Sequence, residues 1–122
     1  RFNEKKVRTL SLEVGLQNCL FIHVTLVPYL KSSGEHKSKP TQHSVKEMQG
    51  MGISPDIIVL RCDEPIDPSI FHKIALFCNV EPDCVIQNTT ASTLYEVPLL
   101  MAQEGLYQAF VSGRKESGQW KL

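Results

Sequence analysis

Three short runs of apolar residues divide the chain, and each is bounded by polar residues or proline. The first, Cys19–Val27 (CLFIHVTLV), is almost continuously apolar and rich in branched side chains. The second is Ile57–Arg61 (IIVLR), and a shorter third is Cys84–Ile86. Runs of this kind are typical of strands buried on both faces. The pattern therefore predicts three strands.

Helical spacing and helix-end signals occupy the segments between these runs. Val7, Leu10 and Val14 recur at intervals of three and four, which predicts a first helix that ends before Gly15. The other helices are predicted from capping residues, prolines at first turns and closing glycines. The predicted helices are Phe2–Val14, Ser44–Gly52 with the capping box Ser44/Glu47, Pro68–Cys78 after the N-cap Asp67 with Ile70, Ile74 and Phe77 inward, and Pro98–Gly105.

Helices and strands therefore alternate along the chain. Alternation with apolar strands predicts an α/β fold, in which three adjacent parallel strands carry helices on both faces. Three strands make a small sheet, and the leading helix needs a strand before it. We expect this chain to begin inside a longer protein and to represent a truncated domain. The polar tail Arg114–Leu122 has no clear period.

Composition and charge exclude some classes of protein. Hydrophobic residues make up 42% and charged residues 21%, which is ordinary for a globular domain. Basic and acidic residues are balanced at 13 each, so the basic surplus of a duplex nucleic-acid binder is absent. The four cysteines form no CxxC pair and have no zinc spacing. We interpret them as reduced thiols of a cytoplasmic protein, and no apolar run is long enough to span a membrane.

The most informative polar segment follows the first predicted strand. In open parallel sheets ligands bind beyond the carboxyl ends of the strands, and the predicted loop Lys31–His43 lies there. Lys37 and Lys39 flank Pro40 just before a predicted helix N-terminus, with Thr41 and Gln42 beside them. Cations, polar side chains and free backbone donors together suit a polyphosphate. The alternative is a solvated basic loop.

Two further positions are ambiguous from chemistry alone. Lys73 lies in FHKIALF, where periodicity favours an ordinary surface lysine on the polar face. The loop Asn88–Ser92 could hold a base or a phosphate, or form a simple turn. The four histidines suggest no catalytic triad, and neither GxxxxGK[ST] nor GxGxxG occurs. Cys62 follows a strand but has no obvious base nearby.

Several segments together resemble one enzyme family. HVTLVPYL, SGEHKSKPTQHSVKEMQGMGISPDIIVLRCDEP, KIALFCNVEP and TLYEVPLLM look like CTP synthase, in that family's order and spacing. The resemblance implies a Rossmann-like sheet, here a truncated portion of a P-loop-type amidoligase (synthase) domain over residues 1–106. Residues 107–122 are expected to be a divergent or gapped C-terminal extension.

The resemblance also implies a reaction. ATP phosphorylates the O4 oxygen of UTP, and ammonia from a glutaminase domain of the same parent chain displaces the phosphate to give CTP. Mg²⁺ bridges the nucleotide phosphates, with its ligands outside this segment, and the parent protein is expected to form a homotetramer. The 122 residues alone are expected to be inactive. No nucleic acid or membrane partner is implied.

Family roles carry over by position to two groups of residues. The KxKPTQ motif, in which Ser38 replaces a common threonine, and the lysine before IALFC form the UTP and CTP site. The loop before TLY contacts the adenine of ATP. The resemblance implies no catalytic or metal-binding residue here. The UTP/CTP-binding residues are Lys37, Ser38, Lys39, Pro40, Thr41, Gln42 and Lys73, and the ATP-binding residues are Thr89, Thr90 and Ala91.

Two other functions remain open. The same lysines could serve a non-catalytic regulatory module that senses CTP or UTP. A plain protein-interaction domain without a nucleotide site is the third hypothesis, and the lysine-rich segment argues against it. An upstream GxxxxGK-type loop in the parent gene would distinguish the ligase from the regulatory module.

Overall fold

The computed structural model describes residues 4–91 and 93–109. This part of the chain contains four α-helices, five strands and three short 3₁₀ turns, and residues 106–109 are also helical. The four predicted helices and three predicted strands are all present, together with a small hairpin. The elements are α1 (Glu4–Val14), β1 (Ile22–Leu26), β2 (Tyr29–Leu30), β3 (Glu35–His36), α2 (Lys39–Gly50), β4 (Ile57–Cys62), α3 (Pro68–Cys78), β5 (Val85–Thr89) and α4 (Val97–Gln103).

The main sheet is parallel, and its strand order is β1-β4-β5. Ile22 pairs with Ile57 across the first interface and Ile58 with Val85 across the second. The prediction of an α/β fold with adjacent parallel strands is confirmed. Strand β4 is central, and all its residues from Ile57 to Leu60 are at most 1% exposed.

The core lies on both faces of β4. Successive strand residues point to opposite faces, so Ile58 and Leu60 pack in one cluster that includes Ile74 from α3. Val59 lies in a second cluster on the other face with Ile86 of β5. Helices thus cover both faces of the central strand, as the apolar run in the sequence predicts.

Strand β1 does not match the prediction that it is buried on both faces. It lies at the edge of the sheet, and Ile22, Val24 and Leu26 are 45%, 63% and 60% exposed. His23 and Thr25 face α2 instead, where they hydrogen-bond to its side chains. Among the described residues a helix covers only one face of this strand. An apolar run therefore does not by itself distinguish an edge strand from a central one.

Helix α3 forms where its end signals predict. The carboxylate of Asp67 accepts a hydrogen bond from the Ser69 backbone N–H at 2.9 Å, and Asn79 ends the helix with a φ of 56°. Its buried face is rotated from the predicted one, because Ile74, Ala75 and Cys78 are buried whereas Phe77 is 45% exposed. The ring of Phe77 lies 4.6 Å from the ammonium of Lys46 on α2.

Helix α1 also forms as predicted, but its apolar stripe is not its buried face. Leu10 and Val14 are exposed, whereas Ser11 is buried. The hydroxyl of Ser11 donates to the Arg8 carbonyl oxygen at 2.7 Å, so its burial leaves no unsatisfied polar group. No helix in the described ranges, 4–91 and 93–109, has the length and apolar character needed to cross a membrane.

Candidate functional site

The segment after β1 is more ordered than the long loop predicted from the sequence. Strands β2 and β3 pair Tyr29 with His36 in a short antiparallel hairpin. The two rings lie 4.9 Å apart, and Nε2 of His36 is 3.1 Å from the carbonyl oxygen of Glu64. Gly34 closes the turn with a φ of 66°, which glycine adopts at little cost. The hairpin is therefore tied to the chain that follows β4.

Helix α2 begins at Lys39 rather than near Ser44. The capping-box prediction is wrong because the Ser44 hydroxyl lies 2.8 Å from Nε2 of His23 and does not cap a helix end. Pro40 occupies the first turn, where a missing N–H costs nothing. Lys39, Thr41 and Gln42 thus belong to the first turn of α2. This is where the helix dipole is positive and backbone N–H groups lack helical partners.

The residues of KSKPTQ divide into exposed and buried side chains. Ser38, Thr41 and Gln42 are 7%, 0% and 8% exposed. Thr41 Oγ1 lies 3.4 Å from Thr25 Oγ1, and the Gln42 amide donates to the Ser38 hydroxyl at 3.5 Å. Thr41 thus holds the turn against β1, and Ser38 and Gln42 bond to each other within it. Because these side chains are buried, we expect them to act on a ligand through the backbone and the placement of the helix.

The two lysines of this segment have different surroundings. Lys37 forms an ion pair and hydrogen bond with Glu35, and that bond lowers the pKa of the Glu35 carboxyl. Lys39 is exposed and forms no ion pair or hydrogen bond with any residue in the described part of the chain. The Lys39 ammonium is therefore free to meet an anion at the N-terminus of α2.

Lys73 is exposed in the middle of α3. Within residues 4–91 and 93–109 it makes no hydrogen bond or ion pair, and none joins it to residues 37–42. The structure therefore places Lys73 on the surface, as periodicity predicts. That Lys73 contacts a pyrimidine nucleotide remains a prediction from the family resemblance.

A second polar cluster lies at the carboxyl ends of β4 and β5. The Arg61 guanidinium donates to the carbonyl oxygens of Cys62 and Asn88 at 3.1 and 3.0 Å. It also donates to Thr90 Oγ1 at 3.3 Å, and Thr90 donates to Asp63 Oδ1 at 2.7 Å. This arrangement links the ends of both strands to the start of the 90–91 loop.

The predicted ATP-binding residues lie in or next to this cluster. Thr89 is the last residue of β5, which extends beyond the predicted end at Ile86. Thr90 is exposed and Ala91 is partly buried; Ser92 lies outside the described residues. Sequence reasoning missed Arg61 and Asp63. The available signal was a charged residue near the end of an apolar strand and a second one directly after it, at the edge where parallel sheets bind ligands.

The cysteines do not contribute chemistry to this site. All four are free, and Cys62, Cys78 and Cys84 are buried. Burial raises the pKa of each of these three thiols, which disfavours the nucleophilic thiolate. In the part of the chain that the structure describes, no group of three or more His, Cys, Asp or Glu side chains could hold a metal ion.

The partial burial of His23 predicts a pH-dependent stability. Desolvation lowers the pKa of His23 below its ordinary value of 6.5, so the unfolded chain binds a proton more readily than the folded one. Stability should therefore be highest above pH 6.5 and should fall as the pH drops below it. Urea unfolding between pH 5 and 7.5 checks this, and His23→Gln should flatten the dependence. If the stability of His23→Gln depended on pH as steeply as that of the parent, another titrating group would be responsible.

Taken together, the fold and these clusters define an α/β protein whose polar groups lie at the carboxyl ends of parallel strands, with a free cation at a helix N-terminus. This is a placement that nucleotide-binding proteins use. The family model described as CTP synthase N-terminus matches residues 2–114, and the chain belongs to this family.

Curated relatives agree with the family assignment. The chain is 60% identical over 100 residues to the CTP synthase of Clostridium kluyveri. The aligned region covers 82% of this chain and 19% of the relative. It is 53% identical over 106 residues to the CTP synthase of Lawsonia intracellularis, and this alignment covers 87% of the chain and 19% of the relative. For the CTP synthase of Moorella thermoacetica the identity is 54% over 100 residues, with coverage of 82% and 19%. The chain thus spans about a fifth of the length of these relatives.

Proposed function

We propose that this chain is a segment of a CTP synthase and contributes its pyrimidine-nucleotide site. The observation that carries the proposal is the family match across residues 2–114. The reaction has two steps. ATP transfers its γ-phosphoryl group to the O4 oxygen of UTP, and ammonia then attacks C4 and displaces phosphate to give CTP. Ammonia comes from glutamine in a glutaminase domain of the same parent chain.

The first turn of α2 is the proposed phosphate-binding element. Lys39 supplies an ammonium group that has no counter-ion among the described residues, and the first backbone N–H groups of a helix lack helical partners. Lys37 lies two residues before Lys39, and Pro40 stiffens the turn. The buried Thr41 fixes this turn against β1. A triphosphate of UTP or CTP at this position would gain charge-assisted hydrogen bonds without reorganising the helix.

The 89–91 segment is the proposed ATP-binding element. Thr89, Thr90 and Ala91 lie at the carboxyl edge of the sheet, and Arg61 and Asp63 hold Thr90 there. This support suits contacts from the backbone to an adenine base. Magnesium belongs to the proposed reaction, because a bound Mg²⁺ would offset the negative charge of the phosphates during phosphoryl transfer. The family resemblance implies that the ligands of Mg²⁺ lie outside this segment.

Lys73 is proposed to complete the pyrimidine-nucleotide site of a second copy in a homotetramer. Its ammonium is exposed on α3, and a point charge near a triphosphate acts with little geometric demand. Lys73→Ala in the complete protein should raise the UTP requirement and relax CTP inhibition together, while glutaminase activity is retained. Steady-state kinetics with UTP and CTP measure both effects.

The matched control for this experiment is Lys46→Ala on the neighbouring helix. It removes the same charge from another exposed position, where the ammonium contacts only the Phe77 ring among the interactions described. UTP use and CTP inhibition should stay near those of the parent in this variant. Normal UTP kinetics and CTP inhibition in Lys73→Ala would show that Lys73 is an ordinary surface lysine.

The 122 residues alone are expected to form no CTP. They correspond to about a fifth of the curated CTP synthases and contain no GxxxxGK[ST] sequence for ATP phosphates. The purified chain is incubated with UTP, ATP, Mg²⁺ and ammonium chloride, and products are separated by ion-pair chromatography. Formation of CTP above a no-ATP control would contradict this expectation.

A further inference from the structure

We propose that Glu35 competes with the nucleotide phosphates for Lys37 and so limits the affinity of this site for UTP and CTP. The inference rests on the proposed function, since it concerns the same site. It assigns unequal roles to Lys37 and Lys39, because one has an internal counter-ion and the other has none among the described residues.

The hairpin places the two charges side by side. Side chains two residues apart along an extended segment lie on the same face, so Glu35 and Lys37 share one side and His36 lies on the other. The carboxylate and the ammonium are each about half exposed and are in direct contact. This contact is also the first cause of the lowered pKa of the Glu35 carboxyl.

The hairpin holds this geometry without help from the ion pair. Tyr29 packs against the His36 ring, and His36 hydrogen-bonds to the Glu64 carbonyl oxygen. The backbone N–H of Lys37 donates to the Pro28 carbonyl oxygen at 2.9 Å. The Glu35 carboxylate is therefore not needed to shape the hairpin, and its removal should leave the backbone in place.

A bound triphosphate must then overcome two electrostatic penalties. It has to draw the Lys37 ammonium away from Glu35, and its own negative charge comes close to the same carboxylate. Exposed ion pairs are individually weak, so Glu35 should reduce the affinity without blocking the site. The carboxylate thereby keeps nucleotide affinity below the maximum that the cations allow.

The test is CTP and UTP binding to the complete protein by titration calorimetry at low ionic strength. Glu35→Gln should tighten binding by about three- to tenfold, and the gain should shrink in about 0.5 M salt. Glu64→Gln is the matched control, because it removes a neighbouring charge whose side chain has no contact with Lys37 among those described. A gain no larger in Glu35→Gln than in Glu64→Gln, or a loss of affinity, would overturn the proposal.

Two further variants separate this inference from the proposed function. In a Lys37→Met background Glu35→Gln should tighten binding less than it does in the parent, since the lysine being contested is gone and only the repulsion between the carboxylate and the phosphates remains. Lys39→Ala should weaken CTP binding whatever Glu35 does. If Lys39→Ala binds CTP as tightly as the parent, the proposed site itself is wrong. If Lys39→Ala binds CTP weakly while Glu35→Gln binds it with the affinity of the parent, the proposed site stands and only the proposed competition by Glu35 is wrong.

A spectroscopic readout does not depend on the affinities. NMR titration of the Glu35 carboxyl should give a pKa that rises when saturating CTP engages Lys37, because the carboxylate loses its counter-ion and gains an anionic neighbour. A Glu35 pKa that stays the same with and without CTP would show that the ion pair persists in the complex, and it would overturn the proposal.

Discussion

Replacing Ile74 by alanine is expected to lower the free energy of unfolding by about 2–5 kcal/mol. Ile74 is fully buried on α3 and belongs to the cluster that contains Ile58 and Leu60 of the central strand. Truncation removes buried methyl groups and leaves a cavity between α3 and the sheet, which close-packed neighbours fill only in part. Urea unfolding followed by circular dichroism at a fixed pH measures the loss.

Two positions on the same helix serve as controls for Ile74→Ala. Leu76 is 87% exposed, so Leu76→Ala should change the stability by no more than about 0.5 kcal/mol. Phe77 is the position that the sequence pattern placed inward and the structure leaves 45% exposed. Phe77→Ala should therefore cost less than Ile74→Ala. A larger loss of unfolding free energy in Phe77→Ala than in Ile74→Ala would show that Phe77 is on the buried face of α3, as the sequence pattern predicted.

The fold was predictable because its signals are local. The buried run Ile57–Arg61 and the capping pair Asp67–Pro68 each determine an element from a few neighbouring residues. The alternation of such elements then leaves few topologies. The exposure of Val24 on β1 was not predictable in this way, because it depends on which strand lies at the sheet edge and which helix covers it.

The start of α2 shows why an element boundary can be wrong despite a clear motif. Ser44 and Glu47 have the spacing of a capping box, but the Ser44 hydroxyl is engaged by His23, which is 21 residues away in sequence. Only the folded chain brings this partner into reach. Pro40 was the better signal, because proline is favoured in the first turn of a helix.

The candidate site was predictable in part. Lys37 and Lys39 were recognisable from their position between a strand and a helix. The sequence could not show that Glu35 neutralises one of them, or that the side chains of Thr41 and Gln42 are buried. The hydrogen bonds of Arg61 join strands that are distant in sequence, so no local pattern reveals them. The role of Lys73 rests on family resemblance and remains a prediction.

Lys39→Ala in the complete protein is expected to weaken UTP use by about one to two decades. Charge-assisted hydrogen bonds to phosphate are worth roughly 1.5–3 kcal/mol each, and a factor of ten corresponds to about 1.4 kcal/mol. Lys39 should show a large effect because its ammonium has no counter-ion in the described residues and lies at the positive end of α2. Initial rates across UTP concentrations, at saturating ATP, give the apparent affinity.

The control for Lys39→Ala is Lys31→Ala, which removes the same charge from the exposed turn of the hairpin. If UTP were attracted only by the local positive charge of the lysines around the hairpin, both variants would weaken UTP use similarly, and both effects would fade with salt. A specific contact at the N-terminus of α2 predicts instead that Lys31→Ala changes the apparent affinity less than about twofold.

CTP inhibition should weaken in parallel with UTP use in Lys39→Ala, since both nucleotides carry the same triphosphate. An unchanged apparent UTP affinity in that variant would contradict the proposed site and would leave the first turn of α2 as a structural element only.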